Sequence, residues 1–159
     1  MTIEYSFYFT YKCNLRCSFC FVKERLSNRS MNITDKEIDV VIKYILEDNP
    51  KAKKIITFLG GEPLVDYKIM SKFIKKTRKF GWKYAMYTNG LLLNKVPIKL
   101  LKQFNTILVS VDGDKKAQEK HRGSGTYWRV LNNLKLIRPQ IHARVIGRIT
   151  VTEDSNLFK

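Results

Sequence analysis

The chain has 159 residues, is 44% hydrophobic, and carries 30 Lys+Arg against 14 Asp+Glu, a formal net charge of +16. That length and apolar content suit one globular domain with a real core and exclude a largely disordered chain. The start, Met1-Thr2-Ile3-Glu4-Tyr5, lacks the basic and apolar regions of a secretory signal, and no apolar run approaches the ~20 residues that span a bilayer, so a cytoplasmic protein without membrane association is expected.

Ile3 to Phe9 alternates aromatic and polar residues and reads as a strand. It leads directly into Cys13-Asn14-Leu15-Arg16-Cys17-Ser18-Phe19-Cys20, which holds all 3 cysteines of the chain. Thr34-Asp35-Lys36-Glu37 has capping-box spacing, and Ile38, Val41, Ile42 and Ile45 follow on one helical face. Ile55 to Leu59 is a second strand, ending at Gly60-Gly61-Glu62-Pro63. Asp66 is expected to cap a helix carrying Ile69, Met70, Phe73 and Ile74. Tyr84 to Thr88 reads as a third strand closed by Asn89-Gly90, a common turn pair.

Pro97 to Phe104 is expected as a short helix, and Thr106 to Val111 as a fourth strand closed by Asp112-Gly113, with Asp112 a candidate cap for the next helix. Thr126 is expected to cap a helix that turns Val130, Leu131, Leu134 and Ile137 inward. Ala143 to Val151 is a fifth strand on which Arg144 and Arg148 share a face. Thr152-Glu153-Asp154-Ser155 reads as the start of another helix. Strands alternating with helices imply an α/β fold with right-handed crossovers and a parallel sheet. Ligands of such folds gather at the carboxyl ends of the strands, where every local oddity of this sequence falls.

The cysteines cannot all pair as disulfides, being odd in number, and their clustering without an export signal indicates a reducing compartment. They can close on one metal centre. Structural zinc more often uses paired Cys-x2-Cys units or added histidines, and the only histidines are His121, expected near a helix start, and His142, expected at a strand start. Cubane iron–sulfur clusters normally take four cysteines, so three leave one iron open for a substrate or cofactor.

Through Cys13-x3-Cys17-x2-Cys20 with the aromatic Phe19, Gly60-Gly61-Glu62-Pro63, and Ser110-Val111-Asp112-Gly113, the chain resembles the radical S-adenosylmethionine (radical SAM) superfamily. The stretch His121-Arg122-Gly123-Ser124-Gly125-Thr126-Tyr127 is most similar to the branch of anaerobic sulfatase-maturating enzymes and peptide maturases. The resemblance implies a partial (βα) TIM-like barrel, about five units of a (βα)6 core. That core would occupy residues 1–159, incomplete at its C-terminal end and without an auxiliary-cluster domain, for which no fourth cysteine exists.

By the same resemblance, Cys13, Cys17 and Cys20 would ligate a 4Fe–4S cluster whose open iron takes S-adenosylmethionine. Glu62, in the turn formed by Gly60, Gly61 and Pro63, would receive the cofactor's ammonium. Phe19 would lie against the adenine, with Phe21 and Val22 helping to exclude solvent. Ser110 and Arg122 would hold the carboxylate and ribose side, an arginine fork being suited to a carboxylate. The implied chemistry is reductive cleavage of the cofactor to a 5′-deoxyadenosyl radical that abstracts hydrogen from a peptide or protein, with flavodoxin or ferredoxin as electron donor. No residue is singled out as the catalytic acid or base. A glycyl-radical enzyme activase and a non-catalytic cluster-binding remnant stay open as alternatives. The basic charge, spread along the chain, reads mainly as solvated helix ends and turns and gives nucleic acid only weak support as a partner.

Overall fold

The computed structural model describes residues 1–22, 31, 33–153 and 155. Its strands are β1 (Thr2–Tyr8), β2 (Lys53–Leu59), β3 (Lys83–Thr88), β4 (Thr106–Ser110) and β5 (Arg144–Arg148). They form one 5-stranded sheet in the order β1-β2-β3-β4-β5, and every neighbouring pair is parallel. The helices are α1 (Asp35–Glu47), α2 (Tyr67–Thr77), α3 (Ile98–Leu101), α4 (Lys115–Arg122) and α5 (Thr126–Ile137). Because each strand lies beside its predecessor with no reversal of order, right-handed crossovers put the helices on one face of the sheet. No helix among the described residues is long and apolar enough to cross a membrane.

Alternation along the strands divides the two faces. Ile56, Phe58, Tyr84, Met86, Ile107 and Val109 are all buried and meet Ile38, Ile42 and Ile45 of α1, Met70 and Phe73 of α2, and Val130 and Ile137 of α5 in one core. The opposite parity carries Thr57, Tyr87, Ser110 and Arg148, and there Thr57 donates to Glu4 at 2.5 Å. One face is thus an apolar core and the other a polar concavity.

Most sequence-predicted elements are present, with instructive differences. Thr34 makes the expected capping box with Glu37. Asp66 precedes α2 but makes no cap bond; it accepts from Thr10 and Lys12 instead, after a short 3-10 turn at Pro63–Asp66. Thr126 is already helical, and its hydroxyl donates back to the Gly123 carbonyl at 2.7 Å. Of its expected inward face, Val130 and Ile137 are buried while Leu131 and Leu134 are half-buried. The cap of α4 is Asp114, which accepts from the Ala117 N–H at 2.9 Å, and not Asp112. His121 therefore lies at the end of a helix, not near its start.

The fifth strand stops at Arg148, directly opposite Ser110 at the end of β4. Thr152 and Ser155 close a turn on each other, and Asp154 and residues 156–159, where the expected helix would run, lie outside the described residues.

The cysteine segment is laid down on the end of β2 by backbone bonds. The Gly61 N–H donates to Thr10 at 2.9 Å and the Glu62 N–H to Lys12 at 2.7 Å. A Cβ at Gly60 would stand 2.6 Å from the Thr10 carbonyl oxygen, and one at Gly61 would stand 2.4 Å from that of Lys12. Backbone cannot yield as a flexible side chain does, so the two glycines are required by this contact. Gly61→Ala is expected to cost about 2 kcal/mol, the range of overpacking a tight site, measured by urea unfolding. An unchanged midpoint would contradict the contact.

Candidate active site

A cavity of about 310 Å³ opens at the carboxyl ends of the strands. Its wall brings together Cys13, Cys17, Cys20, Phe19, Gly60, Gly61, Glu62, Ser110 and Arg122. Of the expected site residues only Pro63 is absent from the wall; it is buried and opens the 3-10 turn. Segments far apart in sequence therefore meet on one rim.

All three cysteines are free thiols; Cys17 is buried and the other two half-buried. Each of two sulfurs faces N–H donors. The Leu15 N–H lies 3.4 Å from Cys13 Sγ, with Asn89 Nδ2 at 3.9 Å, and Arg122 Nη1 lies 3.9 Å from Cys17 Sγ. Burial pushes the Cys13 thiol up to about 11, against the Leu15 N–H. Burial also raises Cys17, against the opposing charge of Arg122. A metal that takes such thiols must displace their protons. Among the described residues, no group of His, Cys, Asp and Glu side chains converges on one ion. A cubane does not ask for that, because each thiolate binds a different iron.

Glu62 is 1% exposed. Its Oε1 accepts from the Thr88 hydroxyl at 2.7 Å and the Leu64 N–H at 3.1 Å, and its Oε2 from the Asn89 N–H at 2.7 Å. The carboxylate expected to meet the cofactor's ammonium thus already ties the end of β2 to the end of β3. Burial pushes it up to about 7, opposed by those three bonds and by Arg122.

Arg122 is buried, and its Nε and Nη2 both donate to Asp112. The two-pronged grip expected for a bound carboxylate is made with a protein side chain. Phe19, expected against adenine, has the Arg122 guanidinium 5.1 Å from its ring centroid and the His121 ring at 5.4 Å. Val22 is buried, but Phe21 is 90% exposed and shields little, a correction to its expected role.

Several site residues were missed from sequence. Thr88 and Asn89 do form a turn, with Gly90 donating to Thr88 and Leu91 to Asn89, yet both also reach Glu62. Asn89 further donates to Asn14 at 2.8 Å, holding the cysteine loop. Arg148 enters the cavity wall with its guanidinium 4.7 Å from the Tyr87 ring centroid, as its parity on β5 allowed. Ser18 donates its N–H to the His121 carbonyl at 2.9 Å, and its hydroxyl lies 2.7 Å from His121 Nδ1.

The Radical SAM superfamily profile matches residues 7–156. This chain belongs to the radical SAM superfamily. Members of that superfamily are enzymes that use a 4Fe–4S cluster and S-adenosylmethionine. An uncharacterized protein of Methanocaldococcus jannaschii is 29% identical over 141 residues, covering 86% of this chain and 44% of that protein. A cysteine-type anaerobic sulfatase-maturating enzyme of Clostridium novyi is 28% identical over 140 residues, covering 79% and 37%. A probable GTP 3′,8-cyclase of Archaeoglobus fulgidus is 31% identical over 159 residues, covering 94% and 51%. The chain thus spans about half or less of each of these relatives' lengths.

Among solved structures, SuiB of Streptococcus suis bound to S-adenosylmethionine superposes with a TM-score of 0.73 at 23% identity, covering 97% of this chain and 35% of SuiB. The anSMEcpe structure with AdoMet and the Cp18Cys peptide gives a TM-score of 0.73 at 20% identity, covering 92% and 42%. At those identities the likeness is one of fold, and it establishes the partial TIM barrel of the radical SAM core.

Glu62 gives the site a pH signature. Unfolded, its carboxyl titrates near the ordinary 4.5; folded, near 7, so the native chain holds the proton through that window. Its contribution to stability is therefore fully present below about 4.5 and lost as pH rises through 7, by roughly 3 kcal/mol. Urea unfolding of the metal-free chain should show this fall, and Glu62→Gln should lack it. Parallel pH profiles for the two proteins would contradict a raised value.

Proposed function

We propose that this chain is the radical-generating core of an enzyme that modifies a peptide or protein. The observation that carries the reading is that Cys13, Cys17 and Cys20 share one cavity with Glu62 at the carboxyl rim of a parallel sheet. The donor set fits a cluster. The three thiols are unpaired, and N–H groups face Cys13 and Cys17 Sγ. Cys13, Cys17 and Cys20 would hold the cluster, with Ser110 and the glycine turn beside the cofactor. When bound, the cluster and S-adenosylmethionine supply one-electron cleavage to a 5′-deoxyadenosyl radical that takes hydrogen from an unactivated carbon.

The protein's own part is orientation and exclusion of water. Asn89, through Asn14, and His121, through Ser18, pin the cysteine loop from two sides. Glu62 fixes the floor between β2 and β3. The peptide reading draws support from the Clostridium relative's name and from the peptides held in the anSMEcpe and SuiB structures. A nucleotide substrate is the second reading, favoured by the likeness to a probable GTP cyclase. Reduced flavodoxin or ferredoxin is the electron donor proposed.

Anaerobically reconstituted chain is expected to show the visible absorption of a thiolate-ligated iron–sulfur cluster before reduction, and to release 5′-deoxyadenosine once dithionite and S-adenosylmethionine are added. Cys17→Ala should abolish both. Retention of both in that variant would overturn the ligand assignment. A cluster without 5′-deoxyadenosine would favour a binding remnant, and a glycine-centred electron-spin signal on an added partner would favour an activase.

A further inference from the structure

Arg122 offers its cavity neighbours very little of its fork. Nε and Nη2 are committed to Asp112, and the residue is 8% exposed. What remains is Nη1, which points at Cys17 Sγ from 3.9 Å, within reach for an acceptor as large as sulfur. Its orientation is fixed from several elements at once. Asp112 Oδ1 also accepts the Thr150 N–H at 2.9 Å, beyond the end of β5. The Asp112 N–H donates to Gln118 Oε1 at 2.7 Å, and Gln118, on α4, is itself 1% exposed. Phe19 closes the guanidinium face at 5.1 Å. A cation held this firmly beside a cysteine sulfur is a built feature.

An N–H donor to a ligating sulfur stabilises electron density there, and so favours the reduced state of a cluster over the oxidised one. We propose that Arg122 is a positioning residue that sets the reduction potential of the cluster through its N–H to Cys17, with Asp112 as the counter-charge that tempers it. The inference rests on the cluster-binding reading above. It assigns Arg122 to the cluster's electronics, a different task from gripping the cofactor's carboxylate. Asp112 becomes a residue of the site through the same pair, although the sequence marks it only as a turn and cap.

The test is an electron-spin-monitored redox titration of the anaerobically reconstituted full chain and of Arg122→Gln, Arg122→Lys and Asp112→Asn. Iron and acid-labile sulfide per chain verify that each carries the same cluster. Arg122→Gln should lower the reduced-to-oxidised ratio at fixed poise by about tenfold, a shift of about 59 mV for one electron. Asp112→Asn leaves the guanidinium charge uncompensated while keeping an oxygen for the Thr150 N–H, so it should shift the ratio the opposite way. Arg122→Lys keeps charge without the fork and should fall between wild type and Arg122→Gln. If Arg122→Gln does not hold a cluster, the opposite signs of Arg122→Lys and Asp112→Asn carry the same test.

Shifts of one sign, or unchanged midpoints, overturn the inference and leave the cluster reading standing. A wild-type chain that takes up no cluster removes the reading beneath it.

Discussion

A buried carboxylate that joins three strand ends governs this structure. Glu62 presents its N–H to Lys12 in the segment after β1, sits itself at the end of β2, and takes N–H and O–H bonds from Asn89 and Thr88 at the end of β3. A desolvated carboxylate is tolerable only because each bond is made within the protein. Those bonds require the cysteine segment, the glycine turn and the third strand's turn to lie in one arrangement. That tie sets the base of the cysteine segment, and Asn14 with Asn89 and Ser18 with His121 hold the loop itself. The glycines serve the same contact from the other side, letting the Thr10–Lys12 backbone come close enough to bond.

Charge in the cavity follows one rule. Acid and base groups are sunk in the wall where protein partners satisfy them: Glu62 by backbone and hydroxyl donors, Arg122 and Asp112 by each other. Arg148, more exposed, rests its guanidinium on Tyr87. The apolar face of the sheet contributes nothing to the chemistry directly. Its role is to set the strand ends at fixed register, so that Ser110 and Arg148 pair directly and Tyr87, opposite Leu108, lies on the same inner face.

Much of this was legible in the sequence because the signals were periodic or local. Alternation in Ile3 to Phe9, the apolar run of Ile55 to Leu59 and the turn pairs closing the later strands marked the sheet, and Thr34 with Glu37 marked the start of α1. The spacing of Cys13, Cys17 and Cys20 marked them as candidate ligands, and the cavity gathers all three. The rest was hidden for identifiable physical reasons. Helix α4 has only Ala117 as an apolar residue and buries Gln118 and Arg122, so hydrophobic periodicity could not announce it. Asp66, Thr88, Asn89 and Asp112 look in sequence like caps and turn residues. Their side chains also make bonds across the fold, Asp66 with Thr10, Thr88 with Glu62, Asn89 with Asn14 and Asp112 with Arg122, and no local pattern records those pairings. Arginine at 122 was legible as a site residue, but its engagement with Asp112 depends on how α4 folds back, which no local pattern records.

The central claim is that Cys13, Cys17 and Cys20 hold a cube whose remaining iron is open to the cofactor. Mössbauer spectroscopy of the chain reconstituted with iron-57, recorded with and without S-adenosylmethionine, addresses it directly. One iron of the cube should change its isomer shift when the cofactor is added while the others stay as they were. A spectrum indifferent to the cofactor, or a chain that takes up a lone zinc ion in place of iron, would contradict it.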